Sequence, residues 1–229
     1  MPELPEVEAL ARFLTDRLTD QRVADIALAS LSAIKTYAPP VTDLLGQHVV
    51  GVRRHGKFLD LTTDGGLHLV WHLSRAGWVQ WRDEVLTTPV KPGKGPLALR
   101  VSFVSDDGEP TGRLDITEAG TQKRLAIYVV TDPSDVPGIA RLGPDAMGDE
   151  LSLPAFAGIL AAAGRAQIKG VLRDQSIIAG IGNAYSDEIL HAALMSPFKP
   201  CSSLSPEEVS ALYSCMRSTL TTAIDNSVG

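Results

Sequence analysis

The sequence predicts an α+β fold: an N-terminal helix joined to an antiparallel β-sandwich or barrel, followed by an all-α domain. Three observations carry this reading. Apolar residues recur at helical spacing near the N-terminus. Short β-rich runs separated by turn residues fill the next hundred positions. After a stretch rich in Asp, Pro and Gly, the texture becomes helical and stays so to the end. The corresponding division is 1–133 for the first domain and 134–229 for the second.

Each element has its own local reason. Val7, Leu10, Ala11, Leu14 and Leu18 mark one apolar face of a helix that ends near Thr19–Asp20. Pro5 suits the first turn of that helix, and Glu6 and Glu8 suit the positive end of its dipole. The runs Val23–Ala29, His48–Val52, Phe58–Thr63, Leu67–Trp71, Leu97–Val104 and Leu125–Val130 read as strands. Asp64-Gly65-Gly66 and Asp106-Asp107-Gly108 are turn signals between them. Thr131–Pro144 reads as a linker. Ser152–Ala163, Ile168–Asp174, Ala184–Ala193 and Pro206–Ile224 read as helices. The last has Ser205 before Pro206, with Glu208 three residues on, as in a capping box.

Composition excludes several classes. In 229 residues, 44% are hydrophobic and 21% charged, which are globular values and not those of a disordered chain. No uncharged run reaches the roughly 20 residues of a membrane-spanning helix. Glu3, Glu6 and Glu8 occupy positions where a signal peptide would carry positive charge, so the expected setting is cytoplasmic. Cys201 and Cys215 are 14 positions apart and fit neither a disulfide framework nor a Cys-x-x-Cys metal site. His68 and His72 share one face of a strand and read as structural. The net charge of −6 argues against a nucleic-acid binder when taken alone. The distribution says more. Asp106, Asp107, Glu109, Asp115 and Glu118 crowd together. Arg53, Arg54 and Lys57 cluster elsewhere, as do Lys123 with Arg124, and Arg165 with Lys169 and Arg173. An acidic back with a basic working face fits these positions, and so does a mixed solvated surface.

The N-terminus carries candidate chemistry. Met1 precedes Pro2, and removal of such a methionine would leave Pro2 as a secondary amine. A terminal amine titrates at about pH 7.7–8.0, so a neutral nucleophilic fraction exists at physiological pH. Its attack on a sugar carbon would give a cationic iminium, which acidifies the adjacent C–H. Glu3 could move protons beside it. A plain helix-entry sequence would have the same composition.

Met1-Pro2-Glu3-Leu4-Pro5-Glu6-Val7-Glu8 resembles the N-terminal signature of the formamidopyrimidine-DNA glycosylase / endonuclease VIII family, with Leu4 closer to the formamidopyrimidine branch. Arg53-Arg54-His55-Gly56-Lys57-Phe58-Leu59 is similar to that family's β-domain turn. Gln167-Ile168-Lys169-Gly170 with Ile177–Leu190 is similar to its helix–two-turn–helix element. The resemblance spans both domains. It implies Pro2 as Schiff-base nucleophile, Glu3 as proton donor and Lys57 in β-elimination. It also implies Lys169 and Asn183 as phosphate contacts, with Asn183 opening a helix whose backbone N–H groups can bind an anion.

The pattern breaks in places. Arg75, in His72-Leu73-Ser74-Arg75-Ala76-Gly77, stands where the family usually has a Met that fills the gap left by a flipped base. In Thr117–Leu125, Arg124 matches the family's Arg, and Leu125 replaces its Phe. Leu125 is either a wedge between bases or a strand residue of the core. The family's C-terminal zinc ribbon is not among these residues, which is read as truncation. No cofactor or metal is expected within this chain. The implied function is a bifunctional glycosylase and abasic-site lyase for oxidised bases, above all purines, acting as a monomer on damaged double-stranded DNA. Two alternatives stand beside it. One is an endonuclease VIII-like enzyme for oxidised pyrimidines. The other is a non-catalytic helix–two-turn–helix module that binds nucleic acid.

Overall fold

The structure is a computed structural model that describes residues 1–84, 90–93 and 95–227. Val228 and Gly229, at the end of the expected second domain, lie outside the described residues. Helix α1 is Leu4–Leu18. Eight strands follow: β1 Arg22–Leu28, β2 Val49–His55, β3 Phe58–Thr63, β4 His68–His72, β5 Gly77–Arg82, β6 Leu97–Val104, β7 Pro110–Glu118 and β8 Ala126–Val130. Four helices complete the chain: α2 Leu153–Ala163, α3 Ile168–Arg173, α4 Asn183–Ala192 and α5 Pro206–Asn226. None of the described helices is long and apolar enough to cross a membrane.

The chain forms two compact units. One comprises Met1–Pro2, Leu10–Arg54 and Phe58–Pro137; the other comprises Glu3–Ala9, His55–Lys57 and Gly138–Gly229. This differs from a single cut at 133/134. The start of α1 and the β2–β3 turn count with the helical unit. The reason for the first is apolar: Leu4 is fully buried in the core that α2–α5 build. The expected linker is also more ordered than its composition suggests. Val136 is fully buried, and the Pro144 carbonyl accepts from Ala179 N–H at 2.9 Å.

In the β unit the strands make two four-stranded sheets, ordered β1-β6-β7-β5 and β2-β3-β4-β8. Two open sheets correspond to the sandwich rather than the closed barrel. The third and later turns of α1 dock through Thr15, whose hydroxyl donates to the Val52 carbonyl (2.8 Å) and accepts from the Val52 N–H (3.0 Å). Six strands fall on the expected runs, whereas β5 and β7 are additions. β7 was hidden by its acids, which read as surface charge. Asp115 and Glu118 are in fact buried. Arg100 grips Asp115 through two bonds of 2.6 and 2.8 Å, and Arg113 Nε adds a third at 3.4 Å. Paired charges of this kind can sit inside a sheet. They also subtract from the acidic cluster that the sequence suggested.

The helical unit has one core, built around Phe156, Leu160, Ile168, Leu172, Ile178, Ile181, Leu212, Met216 and Leu220. Helix α5 starts as its sequence predicts. Ser205 Oγ accepts from Glu208 N–H, and Glu208 accepts in turn from Ser205 N–H.

The buried arginine–aspartate cluster yields a stability prediction. Asp115→Ala leaves two guanidinium groups without their carboxylate, so unfolding free energy should fall by about 3–5 kcal/mol. Urea denaturation followed by circular dichroism measures it. A loss below about 1 kcal/mol would mean that the cluster behaves as a solvated surface pair.

Candidate active site

Within the helical unit, the first residues of α1 meet the turn before α4. Leu4 N–H donates to the Gly180 carbonyl at 3.0 Å. Gly180 has φ +103°, and a Cβ there would sit 2.5 Å from the Leu4 side chain, so glycine is required on both counts. The contact sets Glu3 against the N-terminus of α4. Glu3 is buried, with a residue exposure of 5%. Its carboxylate accepts three backbone N–H bonds: Gly182 at 2.7 Å, Ala184 at 3.0 Å and Tyr185 at 3.2 Å. These are the unpaired donors that open every helix, and the dipole there favours an anion. Gly182 also lacks room for a side chain, since a Cβ would lie 2.3 Å from the Glu3 carboxylate.

The Glu3 backbone is fixed too. Its N–H donates to Glu6 Oε2 at 2.8 Å, and Glu6 Oε1 accepts from the Tyr185 hydroxyl at 2.9 Å. Burial, reinforced by the hydrogen bond to Glu6, pushes the Tyr185 phenol above its ordinary range. Pro2 directly precedes Glu3 and is half-buried.

Lys57 enters the same unit from the β2–β3 turn. Gly56 turns the chain with φ +57°, and the Lys57 ammonium, 6% exposed as a residue, donates to the Ile181 carbonyl at 2.9 Å. Burial pushes its pKa below the ordinary lysine value. Glu3 opposes that shift, Arg173 adds to it, and Glu6 opposes it. A buried amine whose pKa is lowered gives up its proton more readily than an ordinary lysine. The helical unit therefore brings together Glu3 and Lys57, 54 positions apart in the sequence, on either side of the 180–182 turn.

The chain is similar to known proteins over both of its units. Residues 1–121 match the family of the formamidopyrimidine-DNA glycosylase N-terminal domain, and residues 142–229 match that of the formamidopyrimidine-DNA glycosylase H2TH domain. The chain belongs to the formamidopyrimidine-DNA glycosylase family, DNA glycosylases of DNA repair. It is 36% identical over 230 residues to the formamidopyrimidine-DNA glycosylase of Moorella thermoacetica, covering 99% of this chain and 79% of that protein. A Lactococcus lactis Fpg variant in complex with Fapy-dG-containing DNA superposes with a TM-score of 0.83 at 25% identity, over 98% of this chain and 79% of that one. The wild-type Lactococcus lactis enzyme bound to DNA containing an oxidised pyrimidine gives the same TM-score and identity, over 98% and 80%.

Set beside the family pattern, the remaining expected residues fare differently. Asn183 is exposed at the first position of α4, but the neighbouring amides expected to bind phosphate are held by Glu3. Lys169 is engaged as well, in an ion pair with Asp187 at 2.6 Å. In the β unit, Arg75 and Arg124 are exposed on adjoining loops. Ser74 Oγ donates to the Arg124 carbonyl at 2.8 Å, and Ala119 N–H to the Ala76 carbonyl at 3.0 Å. Leu125 is 2% exposed, the burial of a core residue. His68 is bound to Asp60 at 2.8 Å, and His72 to Ser74 at 3.2 Å. The zinc that the resemblance implies finds no donor set here. Cys201 is buried in the helical core, and no group of three or more His, Cys, Asp or Glu among the described residues could hold a metal.

Sequence reasoning missed Glu6, Tyr185 and Gln175. Glu6 stands three residues after Glu3, the spacing of a capping box, and that was a readable signal. Tyr185 and Gln175 act through contacts across 179 and 6 positions, which no local pattern announces.

The lowered Lys57 pKa has a thermodynamic consequence. Between that lowered value and the ordinary 10.5, the unfolded chain binds the proton that the folded chain has released. Stability contributed at this site therefore rises with pH across the window and levels off above it. Lys57→Met should abolish the rise. The difference between wild-type and variant unfolding free energies, measured by urea denaturation over an alkaline pH series, isolates the effect; parallel curves would rule it out.

Proposed function

We propose that this chain is a bifunctional DNA glycosylase and abasic-site lyase that removes oxidised bases, chiefly purines, from double-stranded DNA. The observation that carries the reading is the buried Glu3 carboxylate, locked by the amides of α4 one residue from Pro2. A residue whose only task was to enter a helix would have no reason to bury a charge there at the cost of its hydration.

The reaction follows from the groups present. With Met1 removed, Pro2 is a secondary amine. The target nucleotide is turned out of the stack, and the amine nitrogen attacks C1′ of its sugar. The N–C1′ bond forms, the bond from C1′ to the base breaks, and the departing base takes up a proton. Glu3 serves the proton transfers at this centre. Opening of the sugar leaves an iminium between Pro2 and C1′. Loss of a proton from C2′ then expels the 3′ phosphate oxygen with its electron pair, which is β-elimination. Lys57, depressed towards its neutral form, assists that proton's departure. Arg75, Arg124, Lys169 and Asn183 are assigned to the DNA, the first two from loops tied to each other.

A second reading, preference for oxidised pyrimidines, has its own support. Leu125 offers no aromatic wedge, Arg75 is exposed in place of an apolar one, and a related Fpg binds DNA with an oxidised pyrimidine. Trapping with borohydride on a panel of duplexes bearing oxidised purines or pyrimidines ranks the two. No trapping on any duplex or abasic strand would favour a non-catalytic binding module.

Two outcomes are expected. Borohydride should trap the mature protein on abasic DNA, and Pro2→Gly or an N-terminal extension should reduce trapping severely; trapping at full rate in both would remove Pro2 as nucleophile. Glu3→Gln should cost base excision about 10²–10⁴-fold and cleavage of a preformed abasic site far less, since only excision expels a poor leaving group. Equal losses in gel-based assays of the two substrates would take Glu3 out of that role.

A further inference from the structure

The Gly180–Gly182 turn does more than join α3 to α4. Ile181 C=O and Gly182 N–H belong to one peptide group, so they lie in a single plane and point in opposite directions within it. The oxygen accepts from Lys57 Nζ at 2.9 Å, and the N–H donates to Glu3 Oε2 at 2.7 Å. One peptide plane thus lies between the ammonium and the carboxylate. Its tilt sets the position of both. Donors in such a chain polarise one another, so each bond strengthens the other.

Ile181 is anchored in the helical core, so the freer side of that plane is Gly182. Gly182 has no Cβ, and rotation of the peptide about its flanking bonds meets little steric resistance there. A further restraint comes from Gln175. Its side-chain Nε2 donates to the same Ile181 oxygen at 2.6 Å and to the Arg173 carbonyl at 2.9 Å. Its Oε1 accepts from Gly180 N–H at 3.0 Å. Its backbone carbonyl accepts from Gly143 N–H at 2.9 Å, which anchors the residue itself. The half-buried amide therefore holds the turn at both 180 and 181 from the side of α3.

We infer that Gln175 is a positioning residue that fixes the Ile181–Gly182 peptide plane and so sets Glu3 and Lys57 together. The inference rests on the catalytic roles proposed above for those two groups. Glu3 serves excision and Lys57 serves elimination, so a loosened plane impairs both steps, whereas loss of either group alone impairs mainly one.

The test compares the full chain with Gln175→Met, which keeps the length and loses every hydrogen bond of the amide. Excision of an oxidised base and cleavage of a preformed abasic site should both slow, each on the order of 10- to 100-fold, as expected for misplaced catalytic groups. Affinity for a duplex carrying a non-cleavable abasic analogue should be unchanged. Hydrogen exchange at the Gly182 amide, read by NMR, should accelerate. Normal rates on both substrates, or unchanged Gly182 exchange, would overturn the inference. Gln175→Glu is the second variant and decides the matter if the first does not fold. It keeps an acceptor for Gly180 N–H and sets a carboxylate beside the Lys57–Ile181 bond. The carboxylate favours the Lys57 ammonium, so the pH profile of elimination should move to higher pH, and loss of the donor to the Ile181 oxygen should slow excision as well, a step that the Lys57 shift alone would not touch; normal excision counts against the inference. Failure of the catalytic reading looks different. In that case Glu3→Gln and Lys57→Met would show no step-selective loss, while Gly182 exchange in Gln175→Met still reports whether Gln175 holds the plane.

Discussion

A carboxylate buried beside a helix start organises the helical unit. Removing Glu3 from water costs several kcal/mol unless its oxygens find donors. The open end of α4 supplies three N–H groups and a favourable dipole. Much else follows from satisfying that one charge. The chain before α4 must come close, so residue 182 cannot carry a Cβ. Leu4 must sit in the helical core, so residue 180 cannot carry one either. The start of α1 is thereby drawn into the helical unit, although most of the helix belongs with the sandwich. The division of the chain into units is a consequence of this contact and of the Lys57 turn.

The same bonding changes what the turn before α4 can do for DNA. An open helix start is a ready anion site. Here the chain's own anion holds the amides of residues 182, 184 and 185, and Asn183 presents an exposed side chain beside them. Lys169 is held too, by Asp187, but differently. Both partners of that pair are partly exposed, and exchange of Asp187 for another oxyanion costs little. The buried bond and the exposed one thus divide the labour: the first builds the site, and the second is free to change partners.

Much of this was legible in the sequence. The helix over Val7–Leu18, six of the strands and all four later helices follow from periodicity and turn residues. The Ser205–Glu208 box was readable to the atom. Pro2, Glu3 and Lys57 stood out because three separated segments resemble one family. Where the reading failed, the cause was burial of a polar group. Asp115 and Glu118 looked like surface acids because a sequence does not show their partners Arg100, Arg113 and the 124–125 amides. Leu125 had two readings because wedge and core residues are equally apolar. Gln175 was invisible because its amide matters only where the turn folds back over it.

The buried acids of the two units turn out to solve similar problems. In the helical unit, Glu3 gathers the N–H groups of a turn and a helix. In the β unit, Glu118 Oε1 accepts from both Arg124 N–H (2.6 Å) and Leu125 N–H (2.9 Å), and its carbonyl accepts from Lys123 Nζ. Leu125 plugs the loop into the core, and Ser74 ties it to the turn that displays Arg75. The exposed guanidinium groups of Arg75 and Arg124 are therefore carried on backbone that a buried carboxylate and a buried leucine hold in place. A net charge of −6 says nothing about this, because several acids are spent on internal backbone and arginine partners rather than on the surface. What a polyanion would meet is decided by where the unburied cations are fixed, and on these loops they are fixed from beneath by the very acids that made the composition look unsuited to DNA.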